Sequence, residues 1–215
     1  LEDSFSKNAG SVSVSRNAST AFKIHYTPER DDFRHLTTFI LDSNAALAAA
    51  KSCGVSLTVY LTSAMLLALQ RIQDEQTPDK RRQKPIRVVV PVNLRRLFPS
   101  RTLRNFVHVI MPEIDPRMGD YEFSEILTSV KHQLGLLVTK KNLCAMFTPN
   151  VNAERSPLLR VMPLFLKNIA MKLVYDTVGE RTNCLNLSNL GDIKVPDVMR
   201  LYVTRFDFIL GVQAT

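Results

Sequence analysis

Apolar positions along this chain fall into a few runs whose periods assign elements. Over residues 56–74, Leu57, Val59, Tyr60, Leu61, Met65, Leu66, Leu67 and Leu69 lie nearly all round a helical wheel, predicting a buried central helix with Ser56 as its cap. Just before it, Asp42, Ser43 and Asn44 offer N-cap oxygens to an Ala-rich helix that Gly54 closes. The β-branched and apolar run at 35–41 predicts a strand. Residues 86–92 are apolar with few interruptions, as expected of a strand covered on both faces, and 106–111 reads as its neighbour.

Further on, Phe123, Ile126, Leu127, Val130, Leu134 and Leu137 keep close to the 3.6 period and predict a helix over 121–140. A second helical stretch spans 157–175, where Pro163 should break it near Val161 and leave two helices at an angle. Residues 184–190 and 200–210 read as strands, the latter long. Residues 1–33 are rich in Ser and Asn, have no sustained period, and read as a linker or loosely attached arm before a domain over 34–215. Strands and helices alternate without an internal repeat, so the fold class is α/β (α+β), a mixed sheet packed with helices.

Composition narrows the class. A length of 215 residues fits one large domain or two small ones, and 45% hydrophobic residues argue against disorder and collagen-like sequence. Three cysteines (Cys53, Cys144, Cys184) are too few and too scattered for a disulfide framework and read as buried free thiols. The longest apolar region, 59–69, is interrupted by Thr62 and Ser63 and is too short to span a bilayer. With no pattern of a secretory leader at the N-terminus, the expected location is cytoplasmic. A first residue of Leu1 rather than Met raises the expectation of a piece of a longer chain.

The formal charge of +8 first invites a nucleic-acid reading. Its distribution changes that reading. Residues 1–70 carry six basic and six acidic side chains, 111–215 carry twelve and eleven, and 71–110 carry ten and three. The excess is therefore local, beginning at Lys80-Arg81-Arg82-Gln83-Lys84 and continuing through Arg87, Arg95, Arg96, Arg101 and Arg104.

No catalytic constellation is complete. His25, His35, His108 and His132 lack metal-ligand spacing and read as structural or surface residues, so no metal is expected; no nucleophile elbow, Walker loop or GxGxxG is present. Three segments are nevertheless specialised, one of which, Pro163-Leu164-Phe165-Leu166-Lys167-Asn168, reads as a helix start packed on the core. Between Val90 and Phe106 a strand enters an Asn/Arg-rich turn and leaves as another strand; Asn93 and Asn105 either face a ligand or hold the turn by local hydrogen bonds. In Leu187-Ser188-Asn189-Leu190-Gly191, two small polar residues sit in an apolar strand, where they either line a cavity or brace a neighbouring loop.

Taken in order, Thr58-Val59-Tyr60-Leu61, Pro91-Val92-Asn93-Leu94-Arg95, Pro99-Ser100, Thr102-Leu103-Arg104-Asn105-Phe106, Pro157-Leu158-Leu159-Arg160, Pro163-Leu164-Phe165-Leu166-Lys167-Asn168 and Ser188-Asn189-Leu190-Gly191 resemble the C-terminal half of alcohol-acetyltransferase-like proteins, over about residues 34–212. These belong to the superfamily of CoA-dependent acyltransferases and condensation domains. The resemblance implies a chloramphenicol-acetyltransferase-like half-domain forming one wall of an acyl/CoA tunnel. It also implies that the general-base His, from an HHxxxD motif this sequence lacks, belongs to a missing N-terminal half, without which the chain is not expected to be active. Coenzyme A thioester would be the co-substrate and an alcohol or amine the acceptor. Ser188 becomes the candidate oxyanion donor and Asn189 its orienting partner, while Asn93, Arg95, Arg104 and Asn105 become candidates for CoA, with the basic stretch 80–104 meeting its phosphates.

Two rivals stand beside this expectation. One is a condensation-type acyltransferase in which the basic patch docks an acidic acyl carrier protein. The other is a non-catalytic basic module for nucleic acid or an anionic membrane surface, with Arg160, Lys167 and Lys172 among Leu and Phe residues on the membrane side. The absence of Trp argues against single-strand stacking.

Overall fold

A 20-residue helix, α3 (Leu57–Gln76), organises the fold. The computed structural model describes residues 2–13, 19–27, 35–157, 161–175, 180–191, 193, 195–205 and 207. The Ser56 hydroxyl accepts the Val59 N–H at 3.3 Å and starts α3. Its buried stripe is Val59, Thr62, Ser63, Leu66, Leu69, Gln70 and Gln73, the spacing of one helix face. Leu57, Tyr60, Leu61 and Leu67 on the other faces are only half-buried, so α3 is central but not enclosed all round. The preceding helix α2 (Ser43–Ser52) is capped by Asp42, and Gly54 at φ +67° turns the chain into α3.

The sheet is built on β1 (Ile86–Asn93), of which Ile86 to Val90 are all buried, as the uninterrupted apolar run requires. Antiparallel to it run β2 (Val107–Ile110) and β3 (Glu113–Ile114). These two share one register: Asn93 faces Val107, Val90 faces Ile110, Arg87 faces Glu113 and Ile86 faces Ile114. They are thus one strand interrupted at Met111-Pro112, where proline has no N–H for the ladder; the Pro112 carbonyl still accepts from Val88 N at 3.3 Å. The short β4 (Leu185–Asn186) pairs with β1 in parallel, and the sheet is mixed.

Helices cover this sheet. In α4 (Phe123–Leu137), Glu122 and Glu125 form a capping box, and Ile126, Leu127 and Val130 face inward against α3. A following helix, α5 (Lys140–Arg155), has no counterpart in the sequence expectation because Pro149 and a polar outer face obscure its period; Leu143, Phe147 and Val151 form its buried stripe. The expected break at Pro163 is present, with Pro163 as the N-cap of α6 (Leu164–Val174); residues 158–160 of the preceding stretch lie outside the described residues.

Three expectations are corrected. The described parts of 1–33 are docked, not loose: α1 (Ser4–Asn8) sets Phe5 edge-on to Phe106 and Phe147 at ring-centroid distances of 4.8 and 5.5 Å, and Phe22 is buried with its N–H on the Pro85 carbonyl. Isolated aromatic anchors carry this docking, so no periodicity announces it. Residues 35–41 form no strand, leaving Phe39 80% and Ile40 85% exposed; β propensity acts only where a neighbour pairs, and among the described residues none does. Similarly, Arg200 ends a helical turn, α7 (Asp197–Arg200), and 201–205 are not strand; 206 and 208–210 lie outside the described residues. No single described helix is long and apolar enough to cross a membrane.

Candidate functional site

The turn after β1 is built locally. Leu94 is fully buried and its N–H bonds the Phe106 carbonyl at 3.1 Å, closing the 94–106 loop at its base. The Asn93 carboxamide oxygen accepts the Arg95 N–H at 3.1 Å and caps a short 3-10 turn, Leu94–Arg96. Arg95 then reaches back across the loop, its guanidinium donating to the carbonyls of Thr102 (3.2 Å) and Arg104 (2.5 Å). Side-chain oxygens of Ser100 and Thr102 each accept a backbone N–H two residues on. Much of this Asn/Arg-rich segment therefore serves the loop itself.

On the other side of β1, pairing continues just past β4, where Leu187 N donates to the Val89 carbonyl at 2.8 Å. Beyond Leu187 the chain leaves the sheet, so the strand expected over 184–190 is confined to β4, 188–191 forms the turn after it, and Ser188 and Asn189 are exposed. Asn189 ties this turn down: its Nδ2 donates to Thr58 Oγ1 at 3.3 Å, and its Oδ1 accepts the Gly191 N–H at 2.9 Å. Gly191 sits at φ +70°, where a Cβ would be strained.

These two turns and the start of α3 enclose a cavity of about 470 Å³, within the usual range for small-molecule sites. Thr58, Asn93, Arg96 and Asn189 supply its polar groups, and Val90, Val92, Ile110 and Leu134 are among its apolar walls. Asn93 and Asn189, far apart in sequence, are thus brought together. Asn189 both lines the cavity and braces a loop. Ser188 does not line it.

The other sequence candidates go elsewhere. Arg104 and Asn105 line a separate cavity of about 290 Å³ together with Glu2, Asp3, Phe5 and Glu154. There, hydrogen bonds from the Ser6 hydroxyl and N–H hold the Asp3 carboxyl below its ordinary range, against a smaller opposing effect of burial. The basic stretch is likewise divided. Arg87 is buried against Glu113 and the carbonyls of Ser19 and Thr182, Arg95 is used within its loop, and Lys80 pairs with Asp74 and Asp120. Only Arg96 of this group faces the Asn93–Asn189 cavity. Arg82 and Lys84 lie beyond the far end of α3, where about 27 Å of helix separates Gln76 from Thr58. The picture of one basic wall beside one site is corrected: local sequence density of Arg and Lys became several separate uses because strand, loop and turn point in different directions.

Of the histidines, His108 is buried in β2 against the Phe147 ring, and His132 is exposed on α4. Among the described residues no three His, Cys, Asp or Glu side chains are grouped to hold a metal ion. Cys53 is exposed, contrary to the expectation of burial, while Cys144 and Cys184 are half-buried; all three thiols are free. Thr58 and Arg96 are the polar cavity residues not singled out by sequence as site residues, although both belong to or adjoin the motifs quoted there.

The chain matches no protein-family model, no curated protein and no solved structure.

Proposed function

We propose that this chain forms one wall of the acyl/CoA tunnel of a CoA-dependent acyltransferase of the alcohol O-acetyltransferase type. The observation that carries the reading is the meeting of two separated motifs, Pro91-Val92-Asn93 and Asn189-Leu190-Gly191, on one cavity. In the resemblance these motifs belong together, and a shared cavity gives that pairing a physical meaning.

The chemistry assigned to the whole enzyme is attack of an acceptor oxygen or nitrogen on the thioester carbonyl, expelling CoA as a thiol. A base must take the acceptor proton, a step worth roughly 10²–10⁴-fold, and that base comes from outside this chain. The residues here hold the acyl arm: Asn93 and Arg96 at the β1 turn, and Asn189 with Thr58 across from them. Ser188, exposed beside Asn189, is a poorer oxyanion donor than the Thr58–Asn189 pair, which already faces the cavity. Exposed Phe39, Ile40, Leu164 and Phe165 provide apolar surface that a second half-domain would cover.

Calorimetric titration of the chain with acetyl-CoA tests the reading. Expected is saturable binding, weakened several-fold by Asn93→Ala or Arg96→Gln, with no thiol release when an alcohol is added. A folded chain that binds no acetyl-CoA, or whose binding ignores both substitutions, removes the proposal.

A further inference from the structure

The far end of α3 carries another cavity, of about 410 Å³, walled by the 19–27 segment and the loop before β1. Its geometry is fixed by two glutamines one helical turn apart. Gln73, 1% exposed, donates to the Lys84 carbonyl at 3.0 Å and accepts the Lys84 N–H at 3.2 Å. Gln76 treats His25 in the same way, with both bonds at 2.9 Å. Each glutamine thus pairs with a backbone as a neighbouring strand would, and ties a lining segment to α3, at His25 and at Lys84.

Lys23, His25, Arg82 and Lys84 all line this cavity, with Asp79 as its single carboxylate. Two nearby acids, Asp74 and Asp120, are paired elsewhere. Asp74 accepts from Lys80 at 2.6 Å and from Gln83 at 2.7 Å, Asp120 also pairs with Lys80, and Asp79 accepts the Arg81 N–H at 3.0 Å. Among the described residues Lys23, Arg82 and Lys84 make no ion pair. The C-terminal end of α3 adds about half a negative charge, so with Asp79 the three cations still leave a clear positive excess. A preformed cavity that gathers unneutralised cations around fixed backbone is suited to a dianion.

We propose that the cavity between Gln73, Gln76, Lys23, His25, Arg82 and Lys84 binds a phosphate group, either free or as the monoester of a small molecule. The site lies at the opposite end of α3 from the Asn93–Asn189 cavity and stands or falls independently of it. Phe22 and Pro78 on its walls offer apolar contact for whatever carries the phosphate.

Titration of the full chain with inorganic phosphate and with ribose 5-phosphate, at constant ionic strength in chloride, tests this. Two readouts are needed: calorimetry, and the proton resonances of the four histidine rings. Expected is saturable binding that moves the His25 resonances and leaves His132 on α4 still. Arg82→Gln with Lys84→Gln should weaken binding tenfold or more, while Lys141→Gln on α5 leaves it unchanged. Tighter binding of ribose 5-phosphate identifies an ester as the ligand, and equal affinity identifies inorganic phosphate. No saturation at tens of millimolar, a still His25 at saturation, or equal weakening by Lys141→Gln overturns the proposal; the histidine readout on the unsubstituted chain holds even if a variant folds poorly.

Discussion

Asn189 reaches Thr58 across the mouth of the β1-end cavity, its Nδ2 donating to the threonine Oγ1 at 3.3 Å while its Oδ1 holds the Gly191 N–H at 2.9 Å. One exposed carboxamide thereby joins the turn after β4 to the first turn of α3. The same carboxamide group faces the cavity, so its structural and binding roles are linked.

That linkage predicts a graded series. Asn189→Ala loses both bonds and should cost about 1 kcal/mol. Asn189→Asp keeps an acceptor for Gly191 and can accept from the Thr58 hydroxyl, so it should melt closer to the parent. Gly191→Ala, forced to φ +70°, should cost about 1–2 kcal/mol. Thermal melts of the three variants check the order, and an Asn189→Asp variant as destabilised as Asn189→Ala would sever the link.

The aromatic cluster makes a second, larger prediction. Phe106 is fully buried, with Phe5 and Phe98 edge-on at ring-centroid distances of 4.8 and 6.3 Å. Phe106→Ala should therefore cost about 3–5 kcal/mol. Phe5→Ala should cost less, because Phe5 is only partly buried, but it should release α1 selectively. Limited proteolysis that begins before Ser43 in Phe5→Ala, with the remainder of the chain resistant, is the expected pattern.

What the sequence made legible follows from how local each signal is. The caps at Asp42 and Ser56, the turn at Gly54, the doubly covered β1 and the break at Pro163 are decided within a few residues, and all appear in the structure. The docking of Phe5 and Phe22, the strand character wrongly expected of 35–41 and the position of α5 depend on partners distant in the chain. The site shows the same division. Asn93, read from its turn, and Asn189, read as a polar residue in an apolar run, share a cavity; Arg95, Arg104 and Asn105, which belong to the same ordered motifs, do not join it. Charge density along a sequence ignores which way each side chain points, and the pairing of Gln73 and Gln76 with two backbones has no sequence signature at all.

Arg87 and Glu113 should respond unequally to truncation. The arginine side chain is 7% exposed and the glutamate 49%, although they form one ion pair. Removing Arg87 strips donors from the carbonyls of Ser19 and Thr182 as well as from Glu113, which breaks a buried network and should cost about 3–5 kcal/mol. Removing Glu113 leaves the guanidinium its Ser19 and Thr182 partners and exposes little, so Glu113→Gln should cost about 1 kcal/mol. Denaturant titration of Arg87→Ala and Glu113→Gln measures the difference, and equal losses would mean that the ion pair alone carries the contact.

The cysteines separate by environment and give a pH dependence. Burial pushes the Cys184 thiol above its ordinary range, although the Arg87 N–H at 3.3 Å opposes that shift. A raised folded-state value means that the neutral thiol is favoured on folding. Its stabilising contribution is complete below the thiol's unfolded value, about 8.5, and is lost as pH rises from there through the folded value. Stability should therefore decline on the alkaline side of about pH 8.5, and Cys184→Ser should flatten that decline. Alkylation tests the same environment at neutral pH: the exposed Cys53 should react first with iodoacetamide, Cys53→Ser should abolish the fast phase, and Cys184 should react only at the rate of opening. A Cys184 that reacts as fast as Cys53 would place the thiol in solvent and contradict its packing beside Arg87.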